Sequence, residues 1–237
     1  MKYSIVLPCF NEEGNLGQVI ADLLQFFDKN IIEGEIIAVN DGSTDDTGNV
    51  LDSISKNYSR IIVIHHNENR GYGSALQTGF DAATGDAIGM MDSDGQMCVE
   101  DLGKMMPLLR CNDVVVGYRV KRADQFIRKV YMQIYRLIIR MVFGVRARDI
   151  NCGMKIINAK IWSQIRPRIA TGGSFFAELF VRLRVAGITW IEVPVHHYPR
   201  NSGMQTGAHP RTMFIIIKEI ILLRYELFFK KNSKINR

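Results

Sequence analysis

Two aspartates one residue apart, Asp92 and Asp94, end an apolar run and are followed by Gly95 and Gln96. On extended backbone, residues two apart share a face. Two carboxylates so placed can hold one hard cation, Mg²⁺ or Mn²⁺, whose other positions go to water and phosphate oxygens. Gln96 adds a neutral oxygen on that face. Solvated turns often carry such a pair, so its weight comes from the apolar run before it, residues 86–91. A second acidic turn, Asn40-Asp41-Gly42-Ser43-Thr44-Asp45-Asp46-Thr47, follows another apolar run, 35–40. Gly42 and Ser43 suit a strand-to-helix turn, with Thr44 or Asp45 as the cap. Asp41 is placed to accept from a nucleobase N–H. Asn69-Arg70-Gly71-Tyr72-Gly73 reads equally as a phosphate-cradling loop and as close helix–strand packing. It lacks the GxxxxGK[ST] and GxGxxG patterns, which weighs against nucleotide hydrolysis and hydride transfer.

These segments need a frame that brings them together. Residues 3–7 form a short apolar strand ended by Pro8, and Asn11-Glu12-Glu13 opens an amphipathic helix through Leu16, Val19, Ile20, Leu23, Leu24 and Phe27. Strand 35–40 leads to a helix through Val50, Leu51 and Ile54, and strand 60–65 to a helix with Ala75, Leu76, Phe80 and Ala83. Strand 86–91 is followed by a helix over roughly 99–109 and a strand at 113–117. Strands separated by helices predict an α/β protein with a Rossmann-like, mostly parallel sheet and flanking helices. Ligands of such sheets bind at the carboxyl ends of strands. Asp41 and Asp92 therefore face one crevice. Beyond 118 the pattern shifts: 126–143 and the tail from Thr212 read as amphipathic helices, 188–195 as a late strand, and 199–210 as a mobile loop.

The 237 residues are 47% hydrophobic and 23% charged, with a formal net charge of +6, enough for one large domain plus an appendage. Between 119 and 148, nine Lys and Arg residues face a lone acid, Asp124. Phosphates or an anionic membrane surface suit that stretch. Nucleic acid is not expected, because no base-reading motif accompanies the charge. The four cysteines form no CxxC pair and read as small buried apolar residues in a reducing compartment. The first residues read as a strand, not a signal peptide. No run reaches the roughly 18 uncharged apolar residues of a spanning helix. Lys218, Glu219, Arg224 and Glu226 interrupt the nearest, 212–229. The expectation is a cytoplasmic protein peripheral to the membrane face, open to forming a homo-oligomer.

Pro8-Cys9-Phe10-Asn11-Glu12, Asn40–Thr47, Asn69–Gly73, Met91–Gln96 and Arg200-Asn201-Ser202-Gly203 resemble, in order, the landmarks of family 2 glycosyltransferases with the GT-A fold. Within that family the likeness is to polyprenyl-phosphate sugar synthases, and it spans residues 3 to about 206. The resemblance implies a catalytic domain over 1–210, divided into a nucleotide-sugar half (1–118) and an acceptor half (119–210), with a basic tail over 211–237. It implies that Pro8, Phe10, Glu12, Val39 and Asp41 surround the base and ribose of a nucleoside-diphosphate sugar. Asp92, Asp94 and Gln96 would hold the metal with Ser93 beside the donor, Arg119 and Arg200 would meet phosphate, and Arg128 the acceptor phosphate. Asp149, in Asp149-Ile150-Asn151-Cys152-Gly153-Met154-Lys155, is the candidate base or orienting group. Glu178 is either another family landmark or a helix carboxylate paired with Arg182.

Three positions depart from the family pattern. Asn40 stands where the first acid of the DDGS turn is usual, Met132 where a small hydroxyl residue is common, and Gly203-Met204-Gln205-Thr206 lacks the loop lysine, for which Arg211 or His209 would substitute. The implied reaction is a single, inverting displacement at the anomeric carbon. An acceptor phosphate is already ionised and needs placing by arginine. A glycan hydroxyl needs a base, which makes Asp149 central. The rival readings are a catalytically silent sugar-nucleotide binder and a nucleotidyltransferase. The latter would want a glycine-rich basic loop after the first strand, where this chain has Pro8–Glu13.

Overall fold

Side chains alternate along the first strand, β1 (Tyr3–Cys9), and so do the cores they enter. Tyr3, Ile5, Leu7 and Cys9 pack with α1 (Leu16–Lys29) and Leu51 of α2 (Thr47–Ser55). Val6 packs on the opposite face with α3 (Tyr72–Ala82), as do Ile37 and Val39 of β2 (Gly34–Asn40). A sheet buried on both faces requires nearly continuous apolar strands, which β1, β2 and β4 (Ala87–Met91) have. The computed structural model describes residues 1–120, 126–200 and 210–235, with side chains for 1–120, 131–200 and 215–227.

Seven strands form one sheet in the order β3-β2-β1-β4-β6-β5-β7, completed by β3 (Ile61–His65), β5 (Val114–Arg119), β6 (Met154–Asn158) and β7 (Ile191–Val195). The α/β reading holds. β6, which periodicity does not single out, is antiparallel to both β4 and β5. Its reversal matters to the site. Six strands bring their carboxyl ends to one edge, while β6 brings its amino end, pairing Met154 with Met91. The Asp149–Gly153 segment thereby arrives beside Asp92.

Some expected elements differ in detail. Asn11 sits at φ 55° in a bend, Glu13–Asn15 form a turn, and α1 starts only at Leu16. The helix expected over 99–109 is a 3₁₀ turn, a short α4 (Leu102–Met105) and a second 3₁₀ turn over Met106–Arg110. Pro107, lacking an N–H, cannot continue an α-helical ladder. The late strand is confined to Ile191–Val195. Cys9 and Cys152 are buried, but Cys98 is half-buried and Cys111 exposed, so the expectation of burial fails for those two.

A helical layer covers the face opposite α1: α5 (Phe126–Phe143), α6 (Trp162–Ile165), α7 (Phe175–Val185) and α8 (Pro210–Ile235). On α5, Tyr135, Ile139 and Phe143 recur every fourth residue and are buried. α8 docks through Leu223 and through two inward carboxylates. Glu219 accepts from Thr171 N–H at 3.1 Å and from the Ser174 hydroxyl, and Glu226 accepts from Arg182 at 2.9 Å. Two of the four charges interrupting the 212–229 run thus serve packing, while Lys218 and Arg224 are exposed. Among the described residues, no helix is long and apolar enough to cross a membrane. The loop expected over 199–210, beyond Arg200, falls outside the described residues up to 209, as do the side chains of Arg128, His209 and Arg211.

Candidate active site

The acidic pair leaves β4 at the sheet edge. Asp92 Oδ1 accepts from the Tyr72 hydroxyl at 2.6 Å, and Asp92 N–H donates to the Gly153 carbonyl at 3.0 Å. A β-carbon at Gly153 would stand 1.8 Å from Asp92 Oδ2, so only glycine lets this strand lie against the carboxylate. Ser93 donates to the Pro8 carbonyl at 2.7 Å and ties the ends of β1 and β4 together. Asp94 accepts from Gln96 N–H at 3.1 Å, and its side chain is 19% exposed. Burial first, and then the charge of Asp92, push its carboxyl up to about 6. Two like charges held together where water is scarce, with hard oxygen atoms only, are the donor chemistry of a divalent-cation site. Gln96 donates its amide nitrogen to the Tyr198 carbonyl at 2.8 Å, leaving the amide oxygen as the atom with which it could ligate.

Around β1 and β2 the residues expected near a nucleotide are engaged with one another. Asp41 accepts from His66 Nδ1 at 2.6 Å, from Arg70 N–H at 3.0 Å and from Gly71 N–H at 2.9 Å. It therefore anchors the Asn69–Gly73 loop. Gly71 sits at φ 96°, and a β-carbon on Gly73 would press on Thr171 and Phe175, so close packing accounts for both glycines. Asn40 accepts from Ser43 N–H at 3.1 Å and supports the turn in place of the usual acid. Glu12 receives the Asn15 amide at 2.7 Å and the Arg200 guanidinium. Val39 is fully buried under α3 and paired on both sides in the sheet, so it does not reach the surface where a base was expected, whereas Phe10 is half-buried at the edge. Arg200 Nη1 also stands 3.7 Å from Asp94.

Arg119 and Asp149, expected in separate roles, form a pair. Arg119 Nε meets Asp149 Oδ2 at 2.7 Å and Nη2 meets Oδ1 at 2.9 Å, with both side chains 7% exposed. Such a fork fixes both groups. β5 and β7 run parallel, setting Arg119 opposite Val195, and the chain after Val195 leads to Arg200. Backbone bonds bind that segment to the acidic loop: Tyr198 N–H donates to Gln96 at 2.8 Å, and His196 N–H donates to Asp101 at 2.6 Å.

Glu178 follows the packing alternative. Buried in α7, it accepts from Arg182 Nε at 2.7 Å and from the N–H groups of Arg168, Ile169 and Ala170. Two residues that motif reading passes over join the site. Tyr72 was visible only as the middle of a glycine-rich loop; its hydroxyl pKa is driven well above the usual value by burial and then by Asp92. Lys155 is buried, donates to the Cys152 carbonyl and lies 3.5 Å from the centre of the Phe176 ring. Burial lowers its pKa to about 8.

Residues 4–177 match the sequence profile of glycosyl transferase family 2. The chain is 29% identical over 240 residues to a dodecaprenyl-phosphate galacturonate synthase of Rhizobium johnstonii, covering 97% of this chain and 68% of that one. It is 30% identical over 171 residues to a dolichyl-phosphate beta-glucosyltransferase of Trichomonas vaginalis, covering 65% and 52%. Among solved structures it is similar to glucosyl-3-phosphoglycerate synthase from Mycobacterium tuberculosis in complex with Mg²⁺ and uridine diphosphate. The TM-score is 0.69 at 19% identity, covering 92% of this chain and 79% of that one. The expected GT-A architecture is therefore the one present. With the profile spanning most of the chain, from β1 through the start of α7, the protein belongs to glycosyl transferase family 2 and is a glycosyltransferase.

Proposed function

We propose that this glycosyltransferase moves a sugar from a nucleoside-diphosphate sugar to a polyprenyl phosphate at a membrane surface, by a single displacement that inverts the anomeric centre. The observation that carries the reading is the pair of clusters meeting at one sheet edge. The enclosed Asp92–Asp94 carboxylates stand on one side and the Arg119–Asp149 fork on the other. The two curated relatives, named as polyprenyl-phosphate enzymes, support the acceptor class. The solved structure with Mg²⁺ and uridine diphosphate supports the donor side.

Asp92 and Asp94, with the Gln96 oxygen, are the residues that would hold Mg²⁺ or Mn²⁺. When bound, the cation supplies charge neutralisation to the leaving diphosphate. The chain's own contribution is orientation. Tyr72 and Gly153 fix the Asp92 carboxylate from two sides, so little reorganisation remains when the donor arrives. Arg200, already near Asp94, is placed to follow the donor phosphates. Half-buried Phe10 is left as the apolar surface for a base at the ends of β1 and β2.

The fork supports one of the two acceptor classes over the other. A carboxylate held by two charged hydrogen bonds is a poor proton acceptor, because protonation would sacrifice both. Asp149 then serves to hold Arg119 in place, and an acceptor that arrives ionised needs no base. This favours a lipid phosphate over a glycan hydroxyl. Exposed Tyr131, Ile134, Leu137 and Met141 on α5 and Ile217, Ile221 and Tyr225 on α8 suit a protein lying on a bilayer. A screen of nucleoside-diphosphate sugars with Mn²⁺, against undecaprenyl phosphate and soluble glycans, tests the reading by mass spectrometry. A glycosylated lipid phosphate is expected, and transfer only to glycan hydroxyls would refute it.

A further inference from the structure

We propose that a groove along the C-terminal half of α5 seats the phosphate of an anionic bilayer lipid, at a place separate from the donor site. The groove has a volume of about 410 Å³ and is lined by Arg136, Leu137, Arg140, Arg146 and Arg148, with Glu192 of β7 at its edge. It adjoins a second cleft of about 620 Å³ that shares Arg146 and Arg148 and adds Arg184 and Trp190. Neither cleft includes a residue of the acidic pair.

Charge is the first observation. Glu192 is the one carboxylate in the lining of either cleft, and Arg148 takes it up, by its N–H at 2.8 Å and by Nε at 3.3 Å. Arg136 and Arg184 bond to the carbonyls of Arg148 and Gly144, both at 2.9 Å, which orients the guanidinium groups without neutralising them. Among the described residues, Arg140 and Arg146 have no ion-pair partner and are exposed. Arginines gathered with so little counter-charge repel one another, and an anion seated among them relieves this. Guanidinium forks match phosphate oxygens.

What flanks the charge selects the anion. Arg136 and Arg140 are one turn apart, and Leu137 and Met141 lie beside them in the next row, 53% and 69% exposed. Apolar side chains at the level of arginines fit the boundary between acyl chains and headgroups. A single-stranded nucleic acid would instead want stacking aromatic rings along a basic track. A small cleft lined by Met132, Tyr135, Arg136, Arg148, Asp149 and neighbours lies between the groove and the Arg119–Asp149 fork. A headgroup held here sets the bilayer beside the acceptor side of the site.

The proposal rests on the membrane-surface reading above, and its test separates the two. Binding is measured by co-sedimentation with vesicles of phosphatidylcholine alone or with about a third phosphatidylglycerol, at moderate salt. The wild-type protein should prefer the anionic vesicles. Arg140→Gln/Arg146→Gln should weaken that binding about 10–30-fold, from the contribution of two arginines near an anionic surface, and leave neutral-vesicle and nucleotide binding unchanged. The charge-matched Lys56→Gln/Lys160→Gln control should change it little. Undiminished anionic binding in the arginine variant, or an equal loss in the control, overturns the groove. Loss of a pyrophosphate-induced thermal shift or of an RNA gel shift, with vesicle binding intact, also overturns it and reassigns the arginines to those ligands. If the wild-type protein binds neither vesicle, the membrane reading falls as well.

Discussion

At the donor edge, Asp41, Asp92 and Glu12 each accept hydrogen bonds from the protein's own groups, whereas α5 and α8 turn apolar and basic side chains outward. The proposed donor side is prepared in advance: its carboxylates are oriented by Tyr72, Gly153, His66 and Asn15, so an incoming group would find fixed partners. The proposed acceptor side contains one rigid element, the Arg119–Asp149 fork, set beside α5 and α8 surfaces that are exposed among the described residues. On the proposed reading, precision is concentrated where charge would develop, and breadth is left where a long apolar acceptor would lie.

The largest effect should come from the donor side. Asp94→Ala is expected to lower turnover by on the order of 10³ or more, the range seen when a principal charge-stabilising group is removed. It should also abolish thermal stabilisation by Mn²⁺ while leaving the fold intact. Full retention of that stabilisation would place the cation elsewhere and remove half of the contrast. On the acceptor side, Asp149→Ala strands the Arg119 charge in a buried place and should cost about 3–5 kcal/mol of stability in a denaturant titration. Asp149→Asn keeps the shape. A loss of kcat within about tenfold is expected, against the roughly 10²–10⁴ that losing a general base costs. The larger loss would make Asp149 the base and the acceptor a hydroxyl.

Smaller effects sharpen the same comparison. Tyr72→Phe removes the hydroxyl that orients Asp92 and should weaken Mn²⁺ affinity about 10–100-fold, as loss of such an outer partner does. A change confined to the acceptor KM would mean that Tyr72 serves the other side. Arg128→Ala should raise the KM for lipid phosphate by about tenfold, the scale of one charged hydrogen bond, and spare nucleotide binding. Equal losses of both would erase the division between the halves.

The sequence reveals the donor side more fully than the acceptor side, for a physical reason. Strand periodicity and acidic turns are local signals, and Asp41, Asp92 and the limits of α5 follow from them. Which loop reaches which strand end is not local. Tyr72 meets Asp92 across a twenty-residue separation, and Asp149 arrives only because β6 runs backwards between β4 and β5. A five-residue strand carries no mark of its direction. Likewise Glu178 could be read as a site residue or as a helix partner of Arg182, and only the loop over Arg168–Ala170 that it caps decides this.

The smallest predicted effect concerns pH, and its sign follows from the enclosure of Asp94. Burial and the charge of Asp92 raise its carboxyl to about 6 in the folded chain, against about 3.9 when unfolded. The folded state therefore binds this proton more tightly. Its contribution to stability is complete below about pH 4 and is lost as pH rises through about 6. Above that, two carboxylates face each other with only partial relief from Arg200, and a divalent cation takes over what the proton did. Mn²⁺ should accordingly raise the melting temperature at about pH 7.5, with the gain fading as pH falls toward about 5 and the proton competes for the same oxygens. Arg200, whose guanidinium lies 3.7 Å from Asp94, opposes the shift. Arg200→Ala should move the midpoint of the fading upward by a fraction of a pH unit. A Mn²⁺ gain that stays flat across this range, or a midpoint moved downward by Arg200→Ala, would mean that the acidic pair is balanced by groups other than those that enclose it.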